Sequence, residues 1–141
     1  MKLFAKTEYA CIAMLELAQH HGGGEPIRIR DIADRHGIPA RFLVQILLQL
    51  KGAGLVVSTR GAGGGYQLAK VPDKISLGEV MAVIEGHETV ESSATSNTPT
   101  TRVLLKTWRE SAEKERQYLR GISFAKLVER CQGELEQMYY I

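Results

Sequence analysis

Leu43, Ile46, Leu47 and Leu50 form an apolar stripe at helical spacing. Two strand-like runs, Leu55–Ser58 and Tyr66–Ala69, are joined through glycines, and a second helical stripe follows residue 102. Together these observations predict a mainly α fold: a winged helix-turn-helix with a small β-hairpin wing, continued by a long C-terminal dimerisation helix.

The first helix is expected over Thr7–Gln19, with Thr7 as the N-cap and Glu8 favouring the positive end. Tyr9, Ile12, Ala13, Met14, Leu15, Leu17 and Ala18 make it apolar almost all round, which predicts burial on several sides. His20, His21 and the following glycines end it. Adjacent side chains on a helix do not converge, so the two histidines are expected to serve the helix terminus rather than a metal. Pro26–Arg28 can form a short strand that joins the wing. Ile29–His36 reads as a second helix with Ile32 and Ala33 turned inward, closed by Gly37. Pro39 suits a first helical position, and Gly52 and Gly54 stop the third helix. Helix, short turn, helix is a helix-turn-helix connection; the hairpin after it completes the wing. Ser76 and Glu79 have the spacing of a capping box, and Leu77, Val80, Met81 and Ile84 give a fourth helix ending at Gly86.

Residues 87–101 are polar, small and without a core face, and are expected to form a flexible loop. They separate a winged-helix unit, 1–86, from dimerisation helices, 102–141. Arg102–Gly121 reads as a long helix with Leu104, Trp108, Ala112 and Leu119 at near-heptad spacing, and a last helix begins at Gly121 or Ser123. The long helix has more apolar surface than a winged helix needs as cover. Pairing with a second copy through those four residues is the expected use.

Composition narrows the function. The net charge is +2, but residues 1–75 carry ten Lys/Arg against six Asp/Glu, and residues 36–74 carry five bases against one acid. A locally basic unit suits a nucleic-acid face. No apolar run approaches the ~20 residues of a membrane span, and the N-terminus lacks the apolar core of a signal peptide, so a cytoplasmic location is expected. Two distant cysteines make no disulfide framework. Cys11 is expected in the core, and Cys131 as a partly exposed thiol. The glycines at 61–65 do not lead from a strand into a helix, and no Gly-Lys-Ser/Thr ending follows, so neither a dinucleotide fingerprint nor a P-loop is present. No nucleophile–base pair or metal-spaced ligand set is found, and the chain is not expected to be an enzyme or to hold a cofactor.

The candidate site is the third helix and the wing. Arg41, Gln45 and Gln49 lie opposite the apolar stripe, with Val44 and Leu48 beside them. Arg can pair bidentately with guanine and Gln with adenine in a major groove. Arg60, at the lip of the hairpin, can enter a minor groove, where negative potential concentrates. Lys51 and Lys70 can meet phosphates.

The chain resembles the bacterial winged-helix regulators that include the iron–sulfur-cluster regulator, the nitric-oxide-sensing repressor and the cysteine-metabolism repressor. The resemblance runs nearly end to end. It covers Tyr9-Ala10, Ile32-Ala33, Gly37-Ile38, Phe42-Leu43, Gln45-Ile46-Leu47, Leu50, Gly54-Leu55-Val56, the wing from Arg60 to Tyr66, Ile75 to Val80, Trp108, Leu119 and Ile122 to Leu127. It implies a homodimer with recognition helices in successive major grooves of double-stranded DNA and wings in the flanking minor grooves. The family's DNA contacts fall on Ala40, Arg41, Gln45 and Arg60, supported by Ser58, Thr59 and the backbone of Gly61, Gly63 and Gly64. Ala40 cannot donate a side-chain hydrogen bond, and Val44 stands where a cluster-binding member has an acid, so sequence preference is expected to differ. Cluster-binding relatives place three cysteines in the loop before the long helix. This chain has none there, and Glu8, at a ligand position of some relatives, cannot hold a cluster alone.

The expected function is a homodimeric, sequence-specific DNA-binding transcriptional regulator, a repressor, without a cluster. Two alternatives stand beside it. One is a winged-helix protein–protein adaptor with little DNA specificity, which Val44 and Leu48 on the recognition face favour. The other is a sensor responding to an effector ligand or a regulatory protein.

Overall fold

A computed structural model describes residues 1–86 and 89–139. His87 and Glu88, expected to open the polar loop, lie outside the described residues. The fold is mainly helical, with one antiparallel hairpin.

Helix α1 (Ala5–Gln19) is the central element and packs on the third, fourth and sixth helices. It starts two residues before the expected cap. Phe4 stands at the N-cap without a side-chain bond, while Thr7 is buried and donates to Glu85 Oε2 at 3.0 Å. Tertiary packing of an all-round apolar helix, rather than a local cap, sets this end. Helix α2 (Ile29–His36) closes at Gly37, whose φ of 66° and ψ of 36° are left-handed. The Ile38 amide then bonds back to the Ala33 carbonyl at 3.0 Å, and Ile38 itself is buried. This closure is the turn of the helix-turn-helix.

Helix α3 (Ala40–Gly52) follows; Pro39 is its N-cap rather than its first helical residue. The predicted stripe is its buried face: Leu43, Ile46, Leu47 and Leu50 are all fully buried. Truncating any of these to alanine should cost about 2–5 kcal/mol. The wing pairs β1 (Val56–Thr59) with β2 (Gly65–Leu68) in the register Val56↔Leu68 to Thr59↔Gly65. The strands sit one residue from their expected bounds, because Leu55 and Ala69 are joined just outside the ladder by a single Ala69 N–H to Leu55 carbonyl bond of 3.0 Å. The short strand expected at Pro26–Arg28 is present as a bridge. Ile27 and Tyr66 exchange both backbone bonds, at 2.9 and 2.8 Å.

A 3-10 turn (Pro72–Lys74) leads to α4 (Leu77–Glu85). Ser76 Oγ accepts from the Glu79 amide at 3.0 Å, so half of the predicted capping box forms. Glu79 Oε1 is instead buried with no partner among the described residues. Helix α5 (Pro99–Arg120) begins three residues before the expected Arg102. Thr98 and Thr101 form a reciprocal box there, with Thr101 N to Thr98 Oγ1 at 3.2 Å and Thr98 N to Thr101 Oγ1 at 2.9 Å, and Pro99 enters the first turn. Helix α6 (Phe124–Tyr139) returns to α1.

A close approach and two backbone bonds fix the end of the long helix, and the chain just after it, to the winged body. Gly78 lies so close beneath α5 that a Cβ there would approach the Arg120 backbone nitrogen to 2.8 Å. Beside it, Leu77 N–H donates to the Ile122 carbonyl at 2.8 Å and Phe124 N–H to the Ile75 carbonyl at 2.9 Å. A buried acid ties the first two helices. Glu16, 4 % exposed, receives Arg35 Nη1 at 2.5 Å and faces His36 Nε2 at 3.3 Å.

Candidate nucleic-acid interface

Burying the Leu43 stripe turns the opposite side of α3 outward. Ala40, Arg41 and Gln45 are exposed there, and so are Val44 and Leu48, at 43 % and 56 %. Arg41 is not a free-swinging cation. Its guanidinium carbon lies 5.0 Å from the centroid of the Phe42 ring, and that ring lies 6.2 Å from Tyr9 on α1. A cation over an aromatic face is held by the ring quadrupole, so the packing of α1 reaches the side chain expected to read a base. Gln49, read from the sequence as a third member of this face, is turned away. Its Nε2 donates to the Val83 carbonyl at 2.9 Å and braces α3 against α4.

At the end of α3, Lys51 Nζ donates to Ser58 Oγ at 2.7 Å. Two residues expected to meet DNA independently are thus one unit that links helix to wing. Thr59, Arg60 and Lys70 are exposed. The turn itself depends on close backbone approach. A Cβ on Gly64 would meet the Thr59 carbonyl oxygen at 2.3 Å, and one on Gly65 would meet the Ile27 carbonyl oxygen at 2.4 Å. These two glycines therefore set the path that places Arg60 at the lip of the turn, while Gly61 and Gly63 border open space at their Cβ positions.

One wing cation escaped the sequence reading. Arg28, at the N-cap of α2, sends Nη2 to the Ala62 carbonyl in the turn. The signal available was its place in a strand-like triplet expected to join the hairpin; its reach to the turn needed the fold.

The four residues expected at a dimer interface divide. Leu104 and Trp108 are open, at 46 % and 57 % exposure. Ala112 and Leu119 are half-buried and line, with Met81 and Ala82 of α4, a cleft of about 530 Å³ within the subunit.

A helix-turn-helix whose second helix presents Arg41 and Gln45, beside a hairpin with an arginine at the lip of its turn, defines a winged-helix DNA-binding transcriptional regulator. Residues 3–130 match the Rrf2 family, described as an iron-dependent transcriptional regulator, and the chain belongs to that family. It is 38 % identical over 143 residues to the HTH-type transcriptional regulator IscR of Aliivibrio salmonicida, covering 98 % of this chain and 82 % of the relative. It is 34 % identical over 142 residues to the HTH-type transcriptional regulator CymR of Bacillus subtilis, covering both chains fully. The solved structure of CymR, described as the global cysteine regulator of B. subtilis, superposes with a TM-score of 0.78 at 32 % identity, over 92 % of this chain and 98 % of that one. These relatives are regulators of transcription, not enzymes.

The family description raises the question of iron, and the donors among the described residues do not fit it. Residues 87–101 hold no cysteine. Cys11 and Cys131 are half-buried on α1 and α6. Burial first, and then the nearby charge of Glu85, push the Cys11 thiol up to about 12, against the thiolate a metal requires. His20 Nδ1 is occupied at 2.9 Å from the Glu16 carbonyl. Among the described residues no group of three or more His, Cys, Asp or Glu could hold a metal ion. Nor, among them, is any helix long and apolar enough to cross a membrane.

Proposed function

We propose that this regulator acts as a two-fold homodimer that grips operator DNA and represses by occlusion. The observation that carries the reading is α5: a helix of 22 residues with none buried, which leaves Val103, Leu104 and Trp108 open on a helix anchored to the winged body. An apolar face of this kind is stabilised by a second copy of itself. Two winged units then stand on one side of the pair, and half-sites one helical turn apart are the geometric consequence.

In this reading Arg41 and Gln45 read base edges, Val44 offers an apolar contact to a thymine methyl, and Arg60 enters the minor groove. Ala40, Thr59 and the backbone at Gly61 and Gly63 approach the duplex, whereas Gly64, expected there too, is buried and shapes the turn instead. The Lys51–Ser58 unit and Lys70 meet phosphates. A dimer seated over two grooves covers duplex that polymerase must reach. The unit boundaries follow the same logic: residues 1–86 contact DNA, α5 pairs the subunits through its open end, and α6 folds back onto α1.

Selection of bound fragments from random DNA tests specificity, and a mobility-shift titration of Arg60→Ala tests the wing. Strong loss of affinity is expected; unchanged binding removes the wing from the interface. A second reading, a protein adaptor, draws on the exposed Val44 and Leu48. It predicts no preferred fragment and weak salt dependence, whereas phosphate contacts make affinity fall steeply with salt.

A further inference from the structure

Arg28 belongs to neither element that the DNA-binding reading uses, yet the fold carries its charge into the wing. Its backbone is extended, at φ −78° and ψ 147°, and continues the strand-like bridge in which Ile27 pairs with Tyr66. Gly65 lets that bridge close, since its missing Cβ is the space that the Ile27 carbonyl occupies. From this position the side chain crosses to the wing turn, and Nη2 donates to the carbonyl of Ala62, two residues from Arg60. Arg28 is exposed, and no carboxylate lies within ion-pair distance of it among the described residues.

A guanidinium presents five N–H donors in a rigid fork. One edge is engaged by a neutral carbonyl, which orients the group without cancelling its charge. The remaining donors, with no partner among the described residues, form the planar arrangement that suits phosphate oxygens. The wing therefore holds two guanidinium groups, Arg60 within the turn and Arg28 tethered to it from the start of α2.

We propose that Arg28 is a second DNA-contacting cation of the wing, held against the turn by the Ala62 carbonyl and directed at a backbone phosphate beside the groove that Arg60 enters. This rests on the DNA-binding reading above. Phosphate rather than a base edge is the assigned partner because a guanidinium held against the turn by the Ala62 carbonyl cannot also extend beyond the turn into a groove.

The test is a salt titration of the full-length protein on a duplex selected by the wild type, between about 50 and 200 mM salt, the range over which such slopes are commonly resolved. Each phosphate contact contributes a slope of about −0.9 in log K against log salt. Arg28→Ala should flatten the slope by about one, weaken binding similarly on selected and unrelated duplexes, and leave base preference unchanged. Arg28→Lys should keep the slope. Arg28→Gln removes the charge but keeps a polar, N–H-bearing side chain, and should lose the same unit of slope. A wild-type slope in both Arg28→Ala and Arg28→Gln overturns the proposal, even if affinity drops. A wild type that binds no duplex overturns the DNA-binding reading and this proposal with it; a salt-dependent wild type with insensitive variants overturns this proposal alone.

Discussion

Removing Trp108 probes the proposed homodimer most directly. The side chain is 57 % exposed in the single subunit. A tryptophan side chain carries roughly 250 Å², which leaves about 140 Å² open. Covering that area is worth about 3.5 kcal/mol at ~25 cal/mol per Å². A two-fold interface uses the residue twice, so the ceiling is about 7 kcal/mol. Partial coverage and the cost of ordering side chains reduce the expected loss in Trp108→Ala to about 3 kcal/mol, roughly 100-fold in the dimer dissociation constant. Sedimentation velocity across a dilution series reads this directly. The chain has a single tryptophan, so wild-type emission offers a second readout: it should shift to the red on dilution as the ring meets water. A Trp108→Ala protein that dimerises within about threefold of wild type would show that this face of α5 is not the interface, because the buried-area argument leaves no room for so small a change.

Further outcomes follow from other contacts. Gly65→Ala places a methyl 2.4 Å from the Ile27 carbonyl oxygen, so the Ile27–Tyr66 bridge must yield. A loss of about 1–3 kcal/mol in denaturant unfolding is expected, with weaker DNA binding. Phe42→Leu removes the ring under Arg41, whose guanidinium carbon lies 5.0 Å from its centroid. Such stacks are worth about 0.5–1 kcal/mol at exposed sites, so discrimination between the best duplex and its single-base variants should fall roughly twofold to fivefold, while Phe42→Tyr retains it. Cys11, pushed from 9.0 up to about 12 by burial and by Glu85, should resist thiol reagents at neutral pH in the native protein and react after denaturation. Its folded value lies above the unfolded one. Its contribution to stability is therefore whole below pH 9 and is lost as pH rises toward 12. Unfolding curves of Cys11→Ala should lack that component.

Local patterns made much of the scaffold legible. The four-residue stripe of α3 needs only the 3.6-residue period, and the left-handed Gly37 needs only the absence of a Cβ; both were readable in one dimension. The wing was legible for the same reason, since glycines between strand-like runs leave few other paths. Bounds moved for two different reasons. Packing made Thr7 a buried donor to Glu85 instead of a cap, and a local Thr98–Thr101 capping box, outside the sequence reading, started α5 early.

The candidate site divides along the same line. Residue type and periodicity by themselves determined that α3 would show Arg41 and Gln45, and that Arg60 would ride on a tight turn, because each follows from neighbours a few positions away. Tertiary structure alone decided that Gln49 is spent on the Val83 carbonyl, that Lys51 and Ser58 act together, that Glu16 is buried against Arg35 and His36, and that Arg28 reaches Ala62. Most of these pairs join residues that are distant along the chain. A polar side chain's partner is set by which elements the core draws together, and no local pattern carries that information.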